Sequence, residues 1–361
     1  MFNLNIVGNS HHNKNVATDC TGLIIYIKCL YKMSIVFTYM FCNRTLPIFV
    51  ALILVIFSVT IVAMISPVMA QQNEYSFVNE WGSEGVSTGK FAQPLAIAID
   101  ANDDVYVTDT TSRSNHVQKF TDNGTFSTSW KISGTTGELF TNARGIGIDS
   151  SNNVYVTGGS SPNTAVQKFT NNGILVTSWG STGLGDGEFI SPGWVTVDSN
   201  DNVYVGDFGE NSRIQKFDSN GKFITKWGTP GSNDGQFINL VGLVADSSDN
   251  IYAADRGNNR IQKFDSNGKF ITKWGTSGTG DGQFDMPAGI AVDSSGNISV
   301  SDEGNNRIQK FDSNGKFITK WGTSGTGDGQ FDQPTGIGID SLDKVYVVDR
   351  GNSRIQVFAA Q

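Results

Sequence analysis

The chain has 361 residues with 42 glycines, and it confines its three cysteines and two of its three histidines to the first 42 positions. From Gln71 onward it carries 22 basic and 33 acidic residues, no cysteine, and one histidine, His116. That balance repels polyphosphate and argues against nucleic acid as a partner, and the lack of cysteine excludes disulfides and thiolate metal sites from this part of the chain.

In chain order, residues 1–45 form an N-terminal extension. Residues 46–70 contain an uncharged run, Ile48 to Ile65, interrupted only by Ser58 and Thr60. Arg44, Lys32 and Lys28 precede this run, and no charge follows it before Glu74. Positive charge on the N-terminal side predicts that the start stays in the cytoplasm and the remainder crosses the membrane. Val68-Met69-Ala70 suits a signal-peptidase site, and a signal peptide of ordinary layout would begin at Met40, which makes residues 1–39 an over-long gene start. The run is also long enough to span a bilayer, so a cleaved signal peptide and a retained anchor both stand. Either way, after a linker at 71–76, residues 77–361 are expected outside the cytoplasm, secreted or anchored, touching membrane only through the N-terminal segment.

Trp81, Trp130, Trp179, Trp227, Trp274 and Trp321 recur at intervals of 47 to 49 residues. In phase with them run Phe120, Phe169, Phe217, Phe264, Phe311 and Phe358, each ending a Gln-Lys-Phe or Gln-Val-Phe, and Asp100, Asp149, Asp198, Asp246, Asp293 and Asp340. A period of this length, rich in strand residues and turns, predicts an all-β, six-bladed β-propeller of four-stranded blades, preceded by the N-terminal hydrophobic helix. Between the third and fourth strands, Ser313-Asn314-Gly315 and its counterparts are strong hairpin signals, because Asn and Gly tolerate positive φ. The last unit stops at Phe358, after its third strand, while the segment Phe77 to Gly82 stands alone as an orphan fourth strand. The expectation is that it completes the sixth blade and removes an open edge.

Here a family resemblance enters. Phe284-Asp-Met-Pro-Ala-Gly-Ile-Ala-Val-Asp293, followed by Asn297 to Asp302, Gly304-Asn-Asn-Arg-Ile-Gln-Lys-Phe311 and Asn314-Gly-Lys-Phe317, resembles an NHL repeat, and the likeness extends over about residues 77–358. The resemblance implies a six-bladed ring and no single activity, since similar propellers serve as scaffolds, sensors and enzymes. Amidating lyases of similar type need zinc held by several histidines, and the ubiquitin ligases among NHL proteins carry a RING finger. His116 alone supplies neither, nor more than one candidate base for a Ser-His-Asp triad. His116 also stands in the column of Arg213, Arg260, Arg307 and Arg354, which favours a structural role.

Two functional readings follow. The first is a non-enzymatic binding, scaffold or sensor domain without cofactor or metal, a monomer, for a protein, peptide or glycan at the cell surface. The second is a lactonase-like hydrolase or lyase with Ca²⁺ or Mg²⁺ held by carboxylate and amide oxygens in the central channel. The repeated Asp residues have a structural explanation, since Asp before a tight turn bonds back to the chain. No catalytic residue is assigned.

Ligand sites belong where one blade departs from the rest. All length variation between repeats lies between the second and third strands, with the longer loops in blades one to three. Trp194 occupies the column of Ala96, Gly145, Gly242, Gly289 and Gly336, and Arg144 that of Leu95, Gly193, Val241, Ala288 and Thr335. With Arg113, Phe208 and Glu210 of the variable loops they form the candidate ligand-binding set, and simple space-filling by Trp194 is the competing explanation. Trp194→Gly is expected to be tolerated. Asp207 with Arg213, Asp255 with Arg260, Asp302 with Arg307 and Asp349 with Arg354 are predicted to pair across each loop, at the roughly 0–1 kcal/mol of an exposed ion pair.

Overall fold

The two ends of the domain meet in one sheet. Tyr75–Trp81 pairs antiparallel with the last strand, Arg354–Ala360, which continues to Val345–Asp349 and Pro334–Ile339. The orphan segment therefore closes the ring as the sequence predicts. The computed structural model describes residues 75–110, 115–132, 142–159 and 165–361. The hydrophobic segment at 46–70 and its expected helix lie outside the described residues, and among those described no helix is long and apolar enough to cross a membrane.

Five further four-stranded antiparallel sheets complete six blades. Their innermost strands are Pro94–Ile99, Ile146–Ile148, Pro192–Val197, Leu240–Ala245 and Pro287–Val292. Each packs against the innermost strand of the next blade, and Pro94–Ile99 also packs against Pro334–Ile339, so six first strands surround one axis. Second strands such as Val203–Asp207 are buried throughout, whereas fourth strands such as Phe223–Trp227 alternate between half-buried and exposed residues. Covering by neighbours on both faces demands the first pattern and a half-wet outer edge permits the second.

The core is not central. It is divided into six apolar clusters, one at each seam between blades. At five seams the fourth-strand indole lies under the hairpin turn of the following blade. A Cβ on Gly221 would stand 2.4 Å from the Trp179 ring, and Gly221 has φ +85°. Glycine is therefore required there twice over, by conformation and by the ring beneath it. Gly124, Gly173, Gly268 and Gly315 meet Trp81, Trp130, Trp227 and Trp274 in the same way.

The seam between blades five and six has no such turn, because the third strand of blade six is the last of the chain and its fourth is the first. Tyr75 fills the gap, stacking on Trp321 with ring centroids 4.1 Å apart. In the other blades a second-strand tyrosine (Tyr106, Tyr155, Tyr204, Tyr252 or Tyr346) meets the indole edge-on. Blade five has Ser299 in that column, and Tyr75 takes over the missing ring's contact. The Lys310 ammonium donates to the Tyr75 hydroxyl at 2.6 Å and lies 5.1 Å from the centre of its ring.

The turn aspartates act as expected. Asp198 accepts the backbone N–H groups of Asn200 and Asn202 and the hydroxyl of Tyr204. The turns are also tied around the ring. The N–H and hydroxyl of Ser150, Ser199, Ser294 and Ser341 donate to Asp201, Asp249, Asp343 and Asp103 of the next blade. This circuit breaks between blades four and five, where Ser247 faces the column position held by Gly296.

The Asp–Arg pairs form, but they are buried, which corrects the expectation of an exposed ion pair. Arg260 Nε lies 2.7 Å from Asp255, Arg307 Nε 2.8 Å from Asp302, and Arg354 Nε 2.8 Å from Asp349. The remaining donors of Arg260 go to the carbonyls of Ser232, Asn233 and Gln236 in the loop that approaches the blade. Each guanidinium thus binds the approach loop to the loop between strands two and three. Such a knot, once formed, is costly to break, because its partners are left buried and unpaired.

Candidate functional site

Blades one to three depart from this knot. Blade two has Gly158 and Ala165 in its columns and lacks the pair altogether. Blade one has His116 Nε2 at 3.8 Å from the buried Asp109, with the His116 side chain only 12% exposed. Burial pushes the Asp109 carboxyl up, against the backbone N–H groups of Gln93 and Ala92 and the charge of His116. In blade three one extra loop residue moves the loop asparagine, Asn211, to four positions after Asp207. Asn258, Asn305 and Asn352 stand three after their aspartates. Arg213 still reaches the carbonyls of Leu184, Gly185 and Glu188, but its Nε is 3.9 Å from Asp207 and has no hydrogen-bond partner. Asp207 instead accepts the N–H groups of Ile190 and Ser191 and the amide of Asn211. Burial pushes its carboxyl up as well, against those donors.

Arg144 stands beside this altered junction. Its N–H donates to Thr157 O at 2.8 Å, and its carbonyl accepts the Thr108 hydroxyl at 3.0 Å. The backbone is therefore held from blades one and two at once. The guanidinium crosses to blade three, where Nη1 donates to Ser191 Oγ at 2.6 Å and the cation lies 5.6 Å from the centre of the Phe208 ring. Burial lowers its pKa, and the Asp207 carboxylate acts in the opposite direction. No carboxylate among the described residues forms an ion pair with it.

Phe208 and Trp194 are both half-buried and pack against one apolar cluster that includes Val241 and Ala254 of blade four. The structure thus joins Arg144 to Phe208, and Phe208 and Trp194 to one wall. Glu210 is exposed in the short turn Gly209–Asn211, and nothing ties it to Arg144. Arg113 lies outside the described residues. Sequence reasoning missed Ser191 and Asp207 as parts of this junction. Ser191 gives no signal by itself, because its meaning comes from the arginine of another blade.

The expectation for Trp194→Gly needs correction. A Cβ on Gly145, Gly242 or Gly289 would lie 2.0–2.5 Å from a carbonyl oxygen of the next blade, so those glycines answer a tight seam. Trp194 instead fills apolar space beside blade four, and removing the indole would leave a void.

On the opposite face, a depression of about 350 Å³ opens among the turns of blades one to four. The turn aspartates Asp100, Asp149, Asp198 and Asp246 line it with Ser150, Asn152, Ser199 and Ser247, beside the aliphatic Ile99, Ile148, Val197 and Ala245. Val292 and Ile339 hold the same position in blades five and six. A hard cation needs about six to eight oxygen ligands. Among the described residues, no group of three or more His, Cys, Asp or Glu side chains is placed to hold a metal ion.

Fold and seams define the class: a six-bladed, four-stranded β-propeller closed by strands from both ends of the domain. The NHL-repeat model matches residues 91–120, 189–217, 237–264, 284–311 and 331–358. The chain belongs to the NHL-repeat propellers. Blade two, which carries Arg144, is the unit the match leaves out. Among curated proteins no sequence match is found. Solved structures share the fold at low identity. An auxiliary nutrient binding protein from Bacteroides thetaiotaomicron has a TM-score of 0.56 at 13% identity, over 80% of this chain and 73% of that one. A gluconolactonase from Xanthomonas campestris has a TM-score of 0.55 at 12% identity, over 76% and 88%. A catalytically inactive histidine-to-alanine variant of virginiamycin B lyase from Staphylococcus aureus, with quinupristin, has a TM-score of 0.53 at 14% identity, over 81% and 97%.

Proposed function

We propose that this propeller is an exported, non-enzymatic binding module that engages a protein, peptide or glycan at the cell surface through the loop face of blades one to three. The observation that carries this reading is Arg144. It is a half-buried guanidinium on an aromatic ring, without an ion-pair partner among the described residues, while Arg260, Arg307 and Arg354 are tied to buried aspartates. Arg and Trp are the residue types that most often dominate interface energetics. Export rests on the charge-flanked apolar run at 48–65.

The hydrolase or lyase reading draws on the likeness to a gluconolactonase and a lyase, which is a likeness of fold. Against it stand the turn N–H groups that already occupy the aspartates of the depression, Asp100, Asp149, Asp198 and Asp246, and the engagement of the domain's one histidine, His116, with Asp109. Two measurements separate the readings. Metal analysis of the purified domain should find no stoichiometric ion, and one tightly held Ca²⁺ per chain would favour the enzyme. Cross-linking on the native cell surface should capture a partner that the variant Arg144→Ala with Phe208→Ala no longer captures. Capture unchanged by both substitutions would remove the loop-face assignment.

A further inference from the structure

We propose that Arg144 is the receptor for a carboxylate, presented by the apolar C-terminal residue of a peptide; this rests on the loop-face reading and gives it a ligand chemistry. Nη1 is committed to Ser191 Oγ at 2.6 Å, whereas among the described residues Nε and Nη2 have no acceptor. That Nε–Nη2 edge is the fork that takes both oxygens of a carboxylate through two parallel hydrogen bonds. In blades four and five the equivalent need of a buried arginine is met internally by an aspartate and three carbonyls, and in blade six by Asp349, Glu80 and two carbonyls, so the fold shows what such a cation requires. Arg144 has been taken half out of water without that compensation.

The charge count selects among anions. Among the described residues the charge that acts on Arg144 is the Asp207 carboxylate, and Asp207 is itself 3.9 Å from Arg213. Two cations, Arg144 and Arg213, beside one carboxylate leave a net single positive charge, which suits a singly charged ligand and disfavours a phosphate dianion. The surroundings favour an apolar neighbour to that charge. Phe208 lies against the guanidinium, Trp194 shares its apolar wall, and Ile190, next to Ser191, is 40% exposed. A polyhydroxylated sugar acid would place hydroxyls against these groups, and among the described residues Ser191 is the one polar side chain that bonds the guanidinium.

The test uses N-acetylleucine, its uncharged amide, and glucuronate as probes of the purified domain, with the Arg144 Nε–H resonance as readout. N-acetylleucine should shift that resonance saturably. The amide and glucuronate should each bind at least about tenfold more weakly, and Arg144→Lys, which keeps the charge and loses the fork, should weaken N-acetylleucine by a similar factor. Equal binding of acid and amide, tighter binding of glucuronate, or an unmoved Arg144 resonance would each overturn the proposal. Its failure is distinct from that of the loop-face reading. An unmoved resonance with partner capture still lost in Arg144→Ala with Phe208→Ala removes only the carboxylate. Capture that survives those substitutions removes the face.

Discussion

Blades four to six and blades one to three are built on one scaffold and treat their inner arginines in opposite ways. In the former, Arg260, Arg307 and Arg354 each join a buried aspartate to a neighbouring loop, and nearly every donor is used within the fold. In the latter, the column holds histidine, alanine and an Arg213 that keeps its carbonyls but loses the hydrogen bond to its aspartate, while a new arginine, Arg144, is raised from another column onto Phe208. The difference teaches that arginine in this protein is not a marker of function by type. What distinguishes Arg144 is that the described residues do not saturate it.

The comparison assumes that both halves belong to one closed ring, and the largest expected effect tests that. Deleting the residues before Gly82 strips the fourth strand from blade six and removes Trp81 from the seam with blade one. Truncating a fully buried indole costs about 3–5 kcal/mol, and here the half-buried Trp81 is lost together with a whole strand, a large share of a typical domain's roughly 5–15. The truncated domain should melt far below the domain beginning at Gln71, and equal melting temperatures would refute closure by this strand.

A sharper cut contrasts the two halves directly. Arg307→Ala leaves Asp302 buried without its cation and should destabilise by about 3–5 kcal/mol, as broken buried pairs do. Arg213→Ala should cost clearly less, because its Nε makes no hydrogen bond and Asp207 is already satisfied by Ile190, Ser191 and Asn211. Chemical denaturation of both variants would decide, and equal losses would mean that the halves do not differ in this knot.

A smaller effect is expected at Tyr75. Replacing it by alanine removes a stacked aromatic pair, worth about 0.5–1.5 kcal/mol beyond area burial, and the acceptor of Lys310. Ser299→Tyr should restore part of the loss in that variant, because it returns the column to the form of the other blades, yet crowd the ring in the presence of Tyr75. Additive destabilisation by the two substitutions would show that they do not share a slot.

The smallest change should be a gain. Gly296→Asp would supply Ser247 with the carboxylate that Ser150, Ser199, Ser294 and Ser341 already have, and the space at Gly296 is open. Asp103, Asp201, Asp249 and Asp343 hold the same position with φ near 60°, so aspartate is accommodated there. A net stabilisation of about 0.5–1 kcal/mol is expected, the size of one ordinary hydrogen bond. A lower melting temperature would show that the turn circuit adds nothing at that seam.

The sequence by itself determined the repeat, the number of blades, the closing strand and the columns. These are carried by local patterns: Trp81 to Trp321 and Asp100 to Asp340 recur six times, and the Asn-Gly turns five. It also marked Arg144, Trp194 and Phe208 as departures, because a repeat supplies its own reference for what is ordinary. Only the tertiary structure decided what those departures mean. That the Asp–Arg pairs are buried knots depends on carbonyls more than twenty residues away, and no spacing reveals them. The substitution of Tyr75 for the tyrosine missing at Ser299 joins residues from opposite ends of the domain. Ser191 became part of a site only because blade two lays its arginine on blade three. In a ring whose core lies at its seams, each blade's sequence specifies its own strands, but the environment of a side chain is set by the blade next to it.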